Sequence, residues 1–198
     1  YRPAGIVNGQ YAIAGASPGE WQLQVRGATV VPSRLPIEIA TAAPDALAEI
    51  VAFLNRTLCA RQFAPVYREE DFGAGRFVAL AARDFFVARA GTRIVGTLAA
   101  WDQAGIRQTH VERYSPVLAR LRPLYNAAAR VTPLKPLPPV GARVPYVYLA
   151  CAAVECDDVK VVRGLLRHTC NALRRGPWNY GIATLHERDP VAPVLGEY

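Results

Sequence analysis

The sequence predicts an α/β domain, and three stretches predict it. Residues 84–102 read as a β-hairpin, residues 146–154 form a continuous apolar and aromatic run, and residues 158–175 carry an amphipathic helix pattern that stops at Gly176-Pro177. An unbroken apolar run of that length fits a strand covered on both faces. Apolar residues at Val161, Val162, Leu165, Leu166, Cys170 and Leu173 recur at three- and four-residue spacing, with Arg163, Arg167, Arg174 and Arg175 around them. Strand, turn and helix in succession leave room for a ligand at the helix start, where backbone N–H groups and the positive end of the helix dipole favour an anion.

The bulk numbers set limits. A chain of 198 residues, 52% hydrophobic and 20% charged, can bury a sizeable core and is globular in composition. No apolar run is long enough to span a bilayer, and no charged-then-apolar leader is visible, so the expected location is cytoplasmic and no membrane partner is expected. The sequence opens on Tyr1 and contains no Met, which reads as a piece of a longer chain. Cys59, Cys151, Cys156 and Cys170 lack CxxC spacing and sit in apolar or helical contexts, as buried thiols of a reducing compartment do. With His110, His168 and His186 the only histidines and no HExxH pattern, no metal is expected. The formal charge of +7 comes mainly from Arg, which suits phosphate or carboxylate partners as well as a solvated surface.

Taken in order, residues 1–44 read as a β-rich tail, or the end of a preceding unit, followed by a linker. Asn8-Gly9 is a hairpin signal, residues 21–26 alternate like a half-exposed strand, and Pro32, Pro36 and Pro44 mark residues 31–44 as the linker. The main domain is expected over residues 45–198. Asp45 opens a helix with Leu47, Ile50, Val51, Leu54 and Leu58 on one side, and Pro65 ends or kinks the chain after it. Residues 69–73 are an acidic turn or short helix. The hairpin comes next, its arms joined at Ala90-Gly91-Thr92; Gly96 inside the second arm signals a bulge or a close backbone approach.

Residues 104–145 read as an insertion between two sheet strands: helical over 114–125, extended and stiff over 131–139. Its length implies that it covers or recognises something. Arg107, Arg113, Arg120, Arg122, Arg130, Lys135 and Arg143 outnumber its acids, which suits an acidic substrate or nucleic acid, although no RNP-like, helix-turn-helix or zinc-finger pattern supports nucleic-acid readout. A short strand over 178–185 and a final helix over 191–195 complete the chain, with no internal repeat.

The order helix, hairpin, strand, helix, strand, helix start resembles the GCN5-related N-acetyltransferase (GNAT) superfamily from about residue 47 to residue 195. The resemblance rests on Phe86-Val87-Ala88-Arg89-Ala90-Gly91-Thr92-Arg93-Ile94-Val95-Gly96-Thr97-Leu98 for the central hairpin. Residues 149–154 would be the fourth strand, Val162-Arg163-Gly164-Leu165-Leu166 the following helix, and residues 179–185 the fifth strand. It implies a mixed, mostly antiparallel central sheet flanked by helices, the acyl-CoA N-acyltransferase fold. It also implies transfer of an acetyl or other acyl group from acyl-CoA to a small-molecule or protein amine.

In that family acyl-CoA lies where the fourth and fifth strands splay, its pyrophosphate resting on a loop of the form Arg or Gln, two residues, Gly, one residue, Gly or Ala. Laid on the paired leucines Leu165-Leu166, this sequence places Asp157, Asp158, Lys160 and Val162 at the loop positions, so the pyrophosphate loop is degenerate. Glu155, Asp157 and Asp158 would repel a pyrophosphate unless Lys160 and Arg163 swing in; equally, the two aspartates suit capping of the helix. The resemblance gives Ala152, Val154, Asp158, Val159, Lys160 and Arg163 as acyl-CoA-binding positions and His186 and Glu187 as candidate acid–base residues. Trp101, Gln103 and Gln108 follow the hairpin and either line an acceptor pocket or, for Trp101, belong to the core. The alternative keeps the fold and drops the chemistry: a structural or regulatory module of a longer protein whose basic insert binds a partner, including another domain of the same chain.

Overall fold

The computed structural model describes residues 6–7, 10–11, 36–132, 134–185, 189 and 192–197. It divides into two units, residues 1–36 and 37–198. In the first unit Ile6–Val7 pairs antiparallel with Gln10–Tyr11, flanking the Asn8-Gly9 step that signals a hairpin. The strand expected over residues 21–26 lies outside the described residues.

The second unit is built on a five-stranded sheet of consecutive neighbours: β1 (Ile37–Thr41), β2 (Phe85–Ala90), β3 (Arg93–Trp101), β4 (Tyr146–Val154) and β5 (Tyr180–Ala183). The first three pairings are antiparallel and only β4–β5 is parallel. This is the mixed, mostly antiparallel sheet expected, with helices on both faces. Its first strand falls where a linker is expected. Ile37-Glu38-Ile39-Ala40-Thr41 pairs with β2 from Ile37↔Ala90 to Thr41↔Phe86, and Ile39 packs against the core under the helix after β4. Pro36 immediately before it is compatible with pairing, because an edge strand tolerates proline at its start.

Helix α1 (Leu47–Leu58) covers one face of the sheet and α3 (Val159–Leu173) the other. Ile50, Phe53 and Leu54 of α1 meet Phe85 and Val87 of β2, Ile94 and Ala99 of β3, and Ala153 of β4. Val161, Leu165 and Leu166 of α3 meet Phe86, Ala88, Val95, Leu98 and Val154. Along β2 the two sets alternate as a pleated strand requires. Along β3 they do not: Ile94 and Leu98 lie on opposite faces although four residues apart. The β2–β3 register slips between Ala88↔Gly96 and Arg89↔Ile94, and that bulge exchanges the faces. Gly96 also meets the other expectation for it, since a Cβ there would lie 2.9 Å from both Leu165 Cδ1 and Val161 Cγ1.

Between β3 and β4 the insertion contains α2 (Pro116–Ala128), capped by the Ser115 hydroxyl, which accepts from the Leu118 N–H. This helix is turned inside out. Arg122 and Asn126 face the body and bond the Leu137 backbone, Asn126 through both its donor and its acceptor, while Val117, Leu121 and Leu124 are exposed. The stretch that leads into β4 is thereby strapped to α2 by polar bonds rather than by apolar burial. A short α4 (Ala192–Leu195) brings Val194 onto the α3 side of the core. Among the described residues, no helix is long and apolar enough to cross a membrane.

Candidate functional site

Strand β4 organises the site. Its pairing with β5 runs from Tyr146↔Tyr180 to Leu149↔Ala183 and stops, while β4 continues five residues further to Val154. On its other side β4 remains paired with β3, but the register jumps from Ala99↔Ala150 to Thr97↔Ala153. The extra residue is taken up at Cys151, whose φ of +50° bends the strand. The Thr97 hydroxyl pins the bend by donating to the Cys151 carbonyl at 3.0 Å. Beyond Leu149, β4 and β5 therefore diverge, and a cleft of about 260 Å³ opens between them.

The cleft walls are largely apolar, with Leu149, Val162, Leu165, Leu166, Leu185 and Leu195 among them. Among the described residues no strand pairs with the edge of β4 beyond the last β5 pair, as an extended ligand with amide groups requires. Deeper in, Tyr67 and Cys151 meet within hydrogen-bonding reach. Burial pushes the Cys151 thiol up to about 12 and raises the Tyr67 hydroxyl as well, so both are neutral near pH 7. The Tyr67 backbone is clamped to α1 by a reciprocal pair with Asn55, each bond 2.8 Å long.

At the mouth, Arg61 joins three segments. Its guanidinium donates to Asp157 in the turn after β4 at 2.5 Å and to Asp189 beyond β5 at 2.9 Å. Burial works against the Arg61 charge, but the two carboxylates outweigh it and its pKa is raised. The acids expected to repel a phosphate are thus already committed. Glu155 takes Arg93 at 2.7 Å, Asp157 takes Arg61, and Asp158 caps α3 by accepting from the Lys160 N–H at 2.9 Å. Capping, the second of the two roles weighed for the aspartates, is the one Asp158 fills.

Of the positions that the resemblance assigns to acyl-CoA, Ala152 and Val154 line the cleft, joined by Val162 from α3. Asp158, Val159 and Lys160 form the exposed start of α3. Arg163 lies on the same helix, but its guanidinium forks onto Glu197 at 2.8 and 2.7 Å and lowers that carboxyl's pKa. Trp101, Gln103 and Gln108 do not line the cleft. Trp101 packs edge-on against Phe77 and donates to the Val78 carbonyl, the Gln103 carbonyl accepts from Ile106 and Arg107, and Gln108 donates to the Ala104 carbonyl. His186 and Glu187 lie outside the described residues. Among the described residues no cluster of three or more His, Cys, Asp or Glu side chains is arranged to hold a metal. Sequence reasoning misses Arg61, Tyr67 and Asp189, which reach the cleft only through tertiary packing.

Replacing Arg61 by alanine is expected to cost about 1–2 kcal/mol, since a partly exposed bridge between two carboxylates is worth more than an exposed pair and less than a buried one. Arg61→Lys should recover only part of this, because an ammonium cannot present the guanidinium fork. Urea denaturation of the three proteins measures both; equal stabilities would show that the bridge does not hold the mouth.

A sheet whose only parallel pair parts at a β4 bulge, with a helix springing from the wide end of the gap, is the arrangement that the resemblance to the GNAT superfamily implies. No protein-family model matches the chain. No curated protein matches it either. Solved structures similar to it include an aminoglycoside acetyltransferase from an uncultured soil metagenomic sample in complex with sisomicin, at 14% identity over 81% of this chain and 85% of that one, TM-score 0.47. A predicted acetyltransferase with acetyl-CoA from Clostridium acetobutylicum is similar at 13% identity over 82% and 88%, TM-score 0.49. A GCN5-related N-acetyltransferase from Kribbella flavida is similar at 16% identity over 81% of this chain and 32% of that one, TM-score 0.48.

Proposed function

We propose that this domain is an acyl-CoA-dependent N-acyltransferase of the cytoplasm, transferring an acetyl or other acyl group to the amine of a small molecule or protein. The observation that carries this reading is the parting of β4 and β5 after Leu149↔Ala183 around an apolar-walled cleft. The free edge of β4 at Ala150 to Ala153 would pair with the amides of the pantetheine arm, and the leucines would take the thioester and acyl group away from water. Lys160, with the start of α3, would meet the phosphates. His186 or Glu187 would accept the amine proton, directly or through water, as the nitrogen attacks the thioester carbon; the leaving thiolate then needs a proton.

One observation favours a second reading, a module that keeps the fold and has lost the chemistry. The turn that the family uses for pyrophosphate is filled by Glu155, Asp157 and Asp158, each already engaged within the protein. The basic insert would then serve a partner, including another domain of a longer chain.

Calorimetry with acetyl-CoA, octanoyl-CoA and S-acetylpantetheine separates the readings. The enzyme reading expects acyl-CoA binding in the micromolar range, with acetylpantetheine weaker by no more than about tenfold because the phosphate grip is poor. Absence of binding by any of the three at ~1 mM would leave only the module.

A further inference from the structure

A second cavity, of about 380 Å³, adjoins the β4–β5 cleft, with which it shares Leu149. It is an open depression bordered by the insertion, the paired starts of β4 and β5, and the last turn of α3. Three rings line it, Tyr125, Trp178 and Tyr180, together with two cations, Lys135 and Arg174. Val147, Leu149, Cys170 and Leu173 supply an apolar floor, and among the described residues no carboxylate lines it. Lys135 is fixed in place because its ammonium donates to the Gly176 carbonyl at 2.6 Å, which leaves two further N–H donors. Among the described residues no carboxylate pairs with Arg174. Tyr180, a large ring in the lining, is 53% exposed.

We infer that this cavity is a binding site for a small, flat aromatic carboxylate. Each part of that description answers a feature of the wall. The volume is that of a small-molecule site, mostly apolar with a few polar groups. The three rings in its lining favour a flat aromatic body through offset stacking and edge contacts. Two cations without a facing carboxylate favour an anion, and the guanidinium fork of Arg174 matches a carboxylate in two-point contact. The insertion has a reason for its length in this site, since Tyr125, Leu134, Lys135 and Leu137 all come from it. The inference is independent of whether the β4–β5 cleft binds acyl-CoA.

The test is calorimetry on the 198-residue chain with 2-naphthoate, and with 2-naphthamide as its neutral counterpart. Naphthoate is expected to bind about tenfold more tightly than the amide. Arg174→Ala should remove most of that difference, and Lys135→Gln should reduce it further. Trp178→Ala should weaken both ligands; if that variant fails to fold, Arg174→Ala decides alone, because Arg174 is exposed. No binding of naphthoate up to ~5 mM, equal binding of acid and amide, or undiminished selectivity in Arg174→Ala would each overturn the site.

Discussion

Replacing Gly96 by valine is expected to destabilise the domain by about 3 kcal/mol or more, a large effect for a single substitution. The cause lies in the contact between β3 and α3. A Cβ at Gly96 would sit 2.9 Å from Val161 Cγ1 and Leu165 Cδ1 and 3.3 Å from Val154 Cγ2. Val161 and Leu165 are 4% and 2% exposed, so neither has space to withdraw into. Leu165 can turn its terminal methyl, but Val161 is β-branched and stiff at χ1 within a helix. Alanine should therefore cost about 1–2 kcal/mol and valine more, because its added methyls must lift α3 from the sheet. Lifting α3 also moves Val162, Leu165 and Leu166, which form one wall of the β4–β5 cleft. Urea unfolding measures the stability change; a Gly96→Val protein within about 1 kcal/mol of wild type, the size of an ordinary substitution, would mean that α3 rides more loosely on the sheet than its packing implies.

Much of the architecture is legible in the sequence because its signals are local. The arms around Ala90-Gly91-Thr92, the apolar run of β4 and the stripe of α3 each declare themselves within a short window, and all three are present. Strand β1 is hidden by its surroundings. Pro32, Pro36 and Pro44 punctuate its segment like a linker, and the strand it needs, β2, lies far along the chain. The face exchange in β3 is also illegible as a pattern. Gly96 announces an irregularity, but only the register with Ala88 and Arg89 determines that Ile94 goes to the α1 side and Leu98 to the α3 side.

The cleft divides in the same way. Ala152 and Val154 come to it because they lie on β4, whose identity the sequence carries. Arg61 is 96 residues from Asp157 and 128 from Asp189, and no periodicity links positions so far apart. The degenerate turn is visible as a string of acids, but the sequence does not reveal that Arg93, Arg61 and a backbone N–H neutralise them one by one. What reads as a repulsive loop is, in three dimensions, a set of closed ion pairs and a helix cap.

Alkaline pH is expected to unfold the wild-type domain sooner than a Cys151→Ala variant. The Cys151 thiol is partly buried at the bend of β4, and burial raises it to about 12, with a hydrogen bond from Tyr67 and the Arg76 cation working weakly the other way. An unfolded cysteine titrates near ~8.5. Below that value both states hold the proton and the thiol's contribution to stability is complete. Between there and about 12 the unfolded chain releases its proton while the folded protein keeps it, so the unfolded state gains and stability falls as pH rises. After allowance for the thiol's partial exposure, the loss between pH 8 and pH 11 is about 2 kcal/mol from this group alone. Alanine removes the titration and accepts the φ of +50° no worse than cysteine does. Tyr67, raised chiefly by burial in the same place, adds a further decline at higher pH that Tyr67→Phe should remove. Denaturant midpoints taken from pH 7 to pH 11 test both. The wild-type curve should drop more steeply than that of Cys151→Ala above about pH 9, whereas parallel curves would mean that the thiol at the bend is hydrated and titrates as it does in the unfolded chain.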